Sequence, residues 1–170
     1  MHSRIYEIDA DFIENDEWAT ECEIADENHH IDGVDYYGKI ENENDRCEDI
    51  KNFFTECFPD NSFKIVSNVP GQTAVVRFVG DINALYQKWM DEIKDAANKL
   101  TIEEMNRLAV FEVRLACDQP FGLCSKFYMR NWTGCTADAD DLLSYLHHLS
   151  EKNEGKHFKL YIGRVFDYHY

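Results

Sequence analysis

Hydrophobic and polar positions along this chain follow two rhythms, and the switches between them outline a series of strands and helices. Ile5 and Ile8, set among polar neighbours in residues 4–9, fit a short first strand. In residues 19–25, Thr20, Cys22 and Ile24 fall on one side and Ala19, Glu21 and Glu23 on the other, a period of two that predicts a half-buried strand. Residues 26–33 are polar and end in Asp-Gly, the turn of a wide hairpin that would return through residues 34–41.

The period then lengthens. Cys47, Ile50, Phe53, Phe54 and Cys57 recur at helical spacing behind a capping Asn44 or Asp45, and Pro59-Asp60-Asn61 stops that helix. Strands at 63–67 and 73–79 flank Val69-Pro70-Gly71-Gln72, a tight-turn sequence, and together predict a hairpin. Ile82, Leu85, Tyr86, Trp89, Ile93, Ala96 and Leu100 form one wide apolar stripe, predicting a helix over 81–99. Thr101-x-x-Glu104 is a capping box that opens a shorter helix. In residues 110–117 the alternation of Phe111, Val113, Leu115 and Cys117 with Val110, Glu112, Arg114 and Ala116 predicts a strand, although the same residues would also prolong that helix.

A turn at 118–122 and a strand at 124–131 follow. Asp138, Asp140 and Asp141 sit in the first turn of the next helix, where its positive dipole end favours them. Ala139, Leu142, Leu143, Leu146 and Leu149 are its buried stripe. A polar loop at 151–156 leads to a last strand at 158–166, which ties the end of the sequence into a sheet. The order of elements implies an α+β fold, a mostly antiparallel sheet of hairpins with about three main helices packed on one face. The 170 residues fit a single domain, 1–170, able to bury a core without disulfides or metal.

Charge divides that domain. Residues 1–62 hold 19 Asp and Glu against 4 Lys and Arg, whereas residues 63–170 hold 14 against 13, so nearly all of the formal net charge of −16 lies in the first third. An acidic surface repels nucleic acid and anionic lipid and attracts basic proteins and cations. No apolar run reaches the roughly 18 residues needed to span a bilayer. Six cysteines form no C-x-x-C pair, and the opening Met-His-Ser-Arg-Ile-Tyr-Glu has neither a basic lead nor an apolar core. The expectation is a cytoplasmic protein with reduced, mostly buried thiols.

Candidate chemistry is sparse. Asp26, His29, His30, Asp32 and Asp35 are the metal-like set. Adjacent His29 and His30 would point apart on a strand or turn, and a calcium loop begun at Asn28 has Lys39 where its bidentate Glu should stand. His147 and His148 differ by about 100° on a helix and read as surface residues. Cys124 and Cys135 flank residues 130–134 without a spacing that demands a nucleophile. No phosphate-loop, dinucleotide or hydrolase signature occurs, and no motif calls for a cofactor.

These observations favour a non-catalytic binding protein that docks on a basic, nucleic-acid-handling partner protein as an inhibitor, immunity protein or nucleic-acid mimic. Its partner-binding residues would be Glu21, Glu23, Asp35, Glu41, Glu43, Asp45, Glu48 and Asp49, with Trp132 as an exposed aromatic anchor. A metal-assisted enzyme built on the loop at 26–35 is the alternative. A structural homo-oligomer assembled through Trp132, Tyr168 and Tyr170 is a third, and the oligomeric state stays open.

Overall fold

A computed structural model describes residues 2–25, 36–102, 108–133 and 136–169. Its organising strand is β7, Phe158–His169, which carries the longest run of β-forming residues. On one side β7 pairs antiparallel with β1, His2–Asp9, from His2↔His169 to Asp9↔Tyr161. On its other side it takes two partners in succession. The first is β4, Ala74–Phe78, in the register Phe78↔Phe158 to Ala74↔Ile162. The second is β2, Tyr36–Lys39, in the register Lys39↔Phe166 to Tyr36↔His169.

The hairpin partner of β4 is β3, Phe63–Ser67, and the turn between them holds Gly71 at φ 72°, a conformation that favours glycine. Beyond β1 lie β5, Lys126–Tyr128, and β6, Thr136–Ala137. The β1–β5 pair is parallel and the other pairs are antiparallel. The order is β3-β4-β7-β1-β5-β6, with β2 beside β7. The fold is α+β, a mostly antiparallel seven-stranded sheet with mixed pairing and five α-helices among the described residues.

Three of those helices cover one sheet face. They are α2, Glu43–Glu56, α3, Ile82–Asn98, and α5, Ala139–Lys152, whereas α1, Glu21–Ala25, and α4, Leu108–Asp118, lie elsewhere. Alternation along β4 and β7 turns Ala74, Val76, Phe78, Phe158, Leu160 and Ile162 towards these helices. The core they meet is aromatic. Phe53 stacks on Tyr6 at 4.4 Å, Phe54 meets Phe63 edge-on at 5.0 Å, and Phe63 meets Phe78 at 5.2 Å. A smaller cluster of Ile5, Ala19, Ile24, Tyr128, Phe166 and Tyr168 lies apart from this core and includes α1.

Several local expectations fail for identifiable reasons. Residues 19–25 are not a strand, because Thr20-x-x-Glu23 is itself a capping box. Thr20 Oγ1 accepts from the Glu23 N–H at 3.3 Å, and Glu23 Oε2 accepts from the Thr20 N–H at 2.7 Å. The return strand survives as β2 but pairs with β7, and the turn expected at 26–33 lies outside the described residues. Residues 110–117 are helical in α4. Their alternation never separated apolar from polar, since Val110 and Ala116 occupy the nominally polar side. Half-buried Val113 and Ala116 are three apart, as a helix needs, and the Trp89 indole N–H of α3 donates to the Ala116 carbonyl at 2.7 Å.

Helix α2 starts earlier than expected, capped by Asn42, whose side chain accepts from the Asn44 N–H. Its buried stripe is Arg46, Ile50, Phe53 and Phe54, and Cys57 is exposed. The thiols are mostly not buried. Cys22, Cys57, Cys117 and Cys124 are exposed and Cys47 is intermediate, all five being free. Strand β5 is shorter than expected and β7 longer. No described helix is long and apolar enough to cross a membrane.

Because α4 contributes no described side chain to the core, truncations should separate the two layers. Phe54→Ala should cost about 3–5 kcal/mol in urea unfolding, and Phe111→Ala on exposed α4 no more than about 0.5 kcal/mol.

Candidate functional site

Where β4 ends and β2 begins, β7 has backbone groups without a strand partner, and the local sequence fills that gap with charge. Register on the β1 side steps from Tyr6↔Val165 to Ile8↔Ile162, so β7 holds one extra residue opposite Glu7. The Glu7 carboxylate, 2% exposed, closes this bulge: Oε2 accepts from the Arg164 N–H at 2.8 Å and Oε1 from the Ala19 N–H at 2.9 Å. A Cβ at position 163 would sit 2.2 Å from Glu7 Oε2, so any residue but glycine there would displace the carboxylate.

From the helix side comes Arg46, 0% exposed. Its guanidinium donates to the Gly163 carbonyl at 2.8 Å, to the Gln72 carbonyl at 2.7 Å and to Glu43 Oε2 at 2.7 Å. It also lies 4.7 Å from the centre of the Trp18 ring, which Arg164 approaches at 5.3 Å. The Trp18 indole N–H donates to Thr73 Oγ1 at 2.8 Å, and Thr73 Oγ1 donates to the Ile13 carbonyl. This node ties the loop after β1, the β3–β4 turn and the head of α2 together.

The node brings two acidic segments to one place. Asn15 Nδ2 donates to the Gly71 carbonyl at 2.6 Å, and the Gly71 N–H donates to Glu43 Oε2 at 3.0 Å. The loop carrying Glu14, Asp16 and Glu17 and the stretch carrying Glu41, Asp45 and Glu48 therefore both converge on Gly71. All six side chains are exposed. Among the described residues only Glu41 is paired, with Lys39 Nζ at 3.3 Å.

The expected partner-binding residues divide accordingly. Glu41, Asp45 and Glu48 face solvent, as does Glu21, which accepts from the Lys39 N–H at 3.0 Å. Glu43 is a structural partner of Arg46. Desolvation raises its carboxyl pKa, but the Arg46 and Gly71 hydrogen bonds outweigh it and hold the group below its ordinary value. Asp49 pairs with Arg4 at 2.7 Å, and Arg4 also pairs with Asp167. Glu23 caps α1 and lies 3.5 Å from Arg130. Asp35 lies outside the described residues, as do Asp26, His29, His30 and Asp32 of the metal-like set.

Trp132 is 41% exposed and rests on α5, tilted against Tyr145 at 5.4 Å and His148 at 4.9 Å. Tyr168, a suggested interface residue, is buried and its hydroxyl donates to the Cys124 carbonyl. Tyr170 is outside the described residues. Burial, then the Asp9 carboxylate, push the Tyr145 phenol up to about 12.

A cavity of about 70 Å³ beside Glu7, Asp9, Arg130 and Asn131 offers little room. Its buried carboxylates are engaged, Glu7 as above and Asp9 by Asn131 Nδ2 at 2.7 Å. Among the described residues no group of three His, Cys, Asp or Glu could hold a metal ion. Sequence reasoning missed Glu7, Trp18 and Arg46. Arg46 left a signal, because it stands four before Ile50 and seven before Phe53, at the start of the apolar stripe. Compared with protein-family models, with curated proteins and with solved structures, the chain matches none.

Two measurements test the node. Arg46→Met should cost about 2–5 kcal/mol in urea unfolding, because the buried Gly163 carbonyl, the Gln72 carbonyl and Glu43 lose their donor. Burial holds the Glu7 carboxyl above its ordinary 4.5, and the Arg164 and Ala19 N–H groups and the Arg130 charge offset only part of that shift. The folded protein thus binds the Glu7 proton more tightly than the unfolded chain does. The stability of the wild type relative to Glu7→Gln should be greatest below the ordinary value and decline as pH rises through the folded value, as urea midpoints at about pH 4, 6 and 8 would read.

Proposed function

We propose that this chain is a non-catalytic binding protein whose acidic face, centred on Gly71, docks on a basic protein surface of the kind that handles nucleic acid. The observation that carries this reading is the meeting of two acidic segments distant in sequence, each leaving its unpaired carboxylates in solvent. The four bases of the acidic third do little to neutralise them. Arg4 and Arg46 are engaged in internal hydrogen bonds, Lys39 is paired with Glu41, and only Lys51 is left on the surface of α2. Carboxylates at this density cost folding energy through self-repulsion, and a partner that neutralises them would offset that cost. The free thiols suit the cytoplasm, where we place the protein.

Docking of this kind is steered by charge, so its on-rate falls with salt while side-chain packing at the contact sets the off-rate. The test is a triple variant, Glu14→Lys, Glu41→Lys and Glu48→Lys, which spans both segments and leaves Glu43 to hold Arg46. Immobilised wild type should retain a basic protein from a cell extract and release it as salt rises, with an on-rate falling about tenfold or more. The variant, with an unchanged circular dichroism spectrum, should retain none of it. Equal retention by the two proteins, or release insensitive to salt, would refute the reading.

A further inference from the structure

On the sheet face turned away from the aromatic core, bases from three neighbouring strands meet side by side. Lys64 of β3 stands directly across from Arg77 of β4, and Arg77 directly across from Lys159 of β7. Adjacent strands are about 4.8 Å apart, so three cations line up in one row across three strands. Like charges directly opposite one another destabilise a sheet. Residues 63–170 hold 14 acids and 13 bases, so composition leaves an acid as available as a base at each of these positions, and an opposite charge at the middle one would have removed both repulsions. All three side chains are exposed, and among the described residues none forms an ion pair.

Two of the three, Arg77 and Lys159, line a concavity of about 590 Å³ together with Lys152 from the end of α5, His157 and Tyr161. Lys152 is unpaired as well, and Asp11 is the one acid in the lining. The volume is that of a small-molecule site. Tyr161 packs edge-on against Phe12 at 5.5 Å, and Phe158 and Leu149 reach the lining from the helix side of the sheet. Past Phe12 the same loop places Glu14 and Asp16 over Ser67 and Val75, around a neighbouring concavity. A nucleic-acid strand laid along the cationic row would have to pass those carboxylates. A compact ligand would not.

We infer that this concavity binds a small phosphate-bearing molecule, with Arg77 and Lys159 gripping phosphoryl oxygens, Lys152 adding charge and Tyr161 flanking the remainder of the ligand. The guanidinium fork of Arg77 matches phosphate bidentately, which separates this site from one that merely concentrates anions.

Calorimetric titration at constant ionic strength, with inorganic pyrophosphate and with adenosine triphosphate as probes, tests the assignment. At least one probe should bind saturably at one site per chain, and Arg77→Gln and Lys159→Gln should each weaken it by about tenfold or more. Lys94→Gln, on the exposed side of α3 where Lys94 pairs with Asp91, should leave binding unchanged. Without ligand, the Arg77 and Lys159 variants should melt no lower than the wild type, because each relieves a like-charge contact. Absence of saturable binding by either probe, binding indifferent to both substitutions, or lower melting of both free variants would overturn the inference. So would a single-stranded oligonucleotide that binds through Arg77 and Lys159 more tightly than both probes.

Discussion

A strand with two partners in succession along one edge has to leave backbone groups unpaired where the first stops and the second starts. In β7 that place is residues 163–165, between β4 and β2. The Val165 carbonyl is taken by the Ile40 N–H, the Gly163 carbonyl by Arg46, and the Arg164 N–H by Glu7. Each of these, left unmet, would cost about 1–3 kcal/mol. The extra residue also shifts the alternation of β7. Phe158, Leu160, Ile162 and Val165 belong to the main core, while Phe166 and Tyr168 belong to the cluster that includes α1. Strict alternation from Ile162 would have put Arg164 where Val165 now stands.

The same interactions decide what the surface looks like. Arg46 is engaged with Gly163, Gln72 and Glu43, and Arg4 with Asp49 and Asp167. The acidic third thus withdraws half of its few bases into structural roles. It withdraws some acids too, notably Glu7, Asp9, Glu43 and Asp49, and these are the ones nearest the sheet and the inner side of α2. Among the described residues the carboxylates left outside include those of the loop after β1 and of the outward side of α2, held in proximity by the β3–β4 turn. Bases from later in the sequence meet other acids of this third, Lys88 pairing with Asp60 and Arg130 with Glu23.

The elements with one clean rhythm were legible in the sequence. The hairpin of β3 and β4, the stripe of α3 and the stripe of α5 each announce a single period, and each occurs near its expected place. Elements misread were those where two signals competed. In residues 19–25 a period of two coincided with the Thr20 capping box, and the cap prevailed because a short segment needs its end groups satisfied more than its faces sorted. In α4 every phase of the pattern was apolar, so only the neighbouring helix decided. The Glu7–Arg46 node is long-range, joining residues up to 157 apart, and no local pattern encodes such a pairing. The row of Lys64, Arg77 and Lys159 was hidden for the same reason, since it exists only once strand register is known.

That row also bears on what the fold demands and what it merely tolerates. Exposed charges facing one another across a sheet are screened by water and salt, so each such contact costs only some tenths of a kcal/mol up to about 1 kcal/mol. The sheet can carry three such cations because its stability rests on the aromatic layer on its other face. Nothing in the packing requires them, in contrast to Arg46, each of whose three guanidinium nitrogens donates to an acceptor. A cation that folding requires is found with its acceptors around it. Arg77, Lys152 and Lys159 have none among the described residues and open onto a concavity instead. Their placement follows from what approaches from outside, and the carboxylates beyond Phe12 limit it further, since an anion held only by the general field would be repelled there and only one making direct bonds would stay.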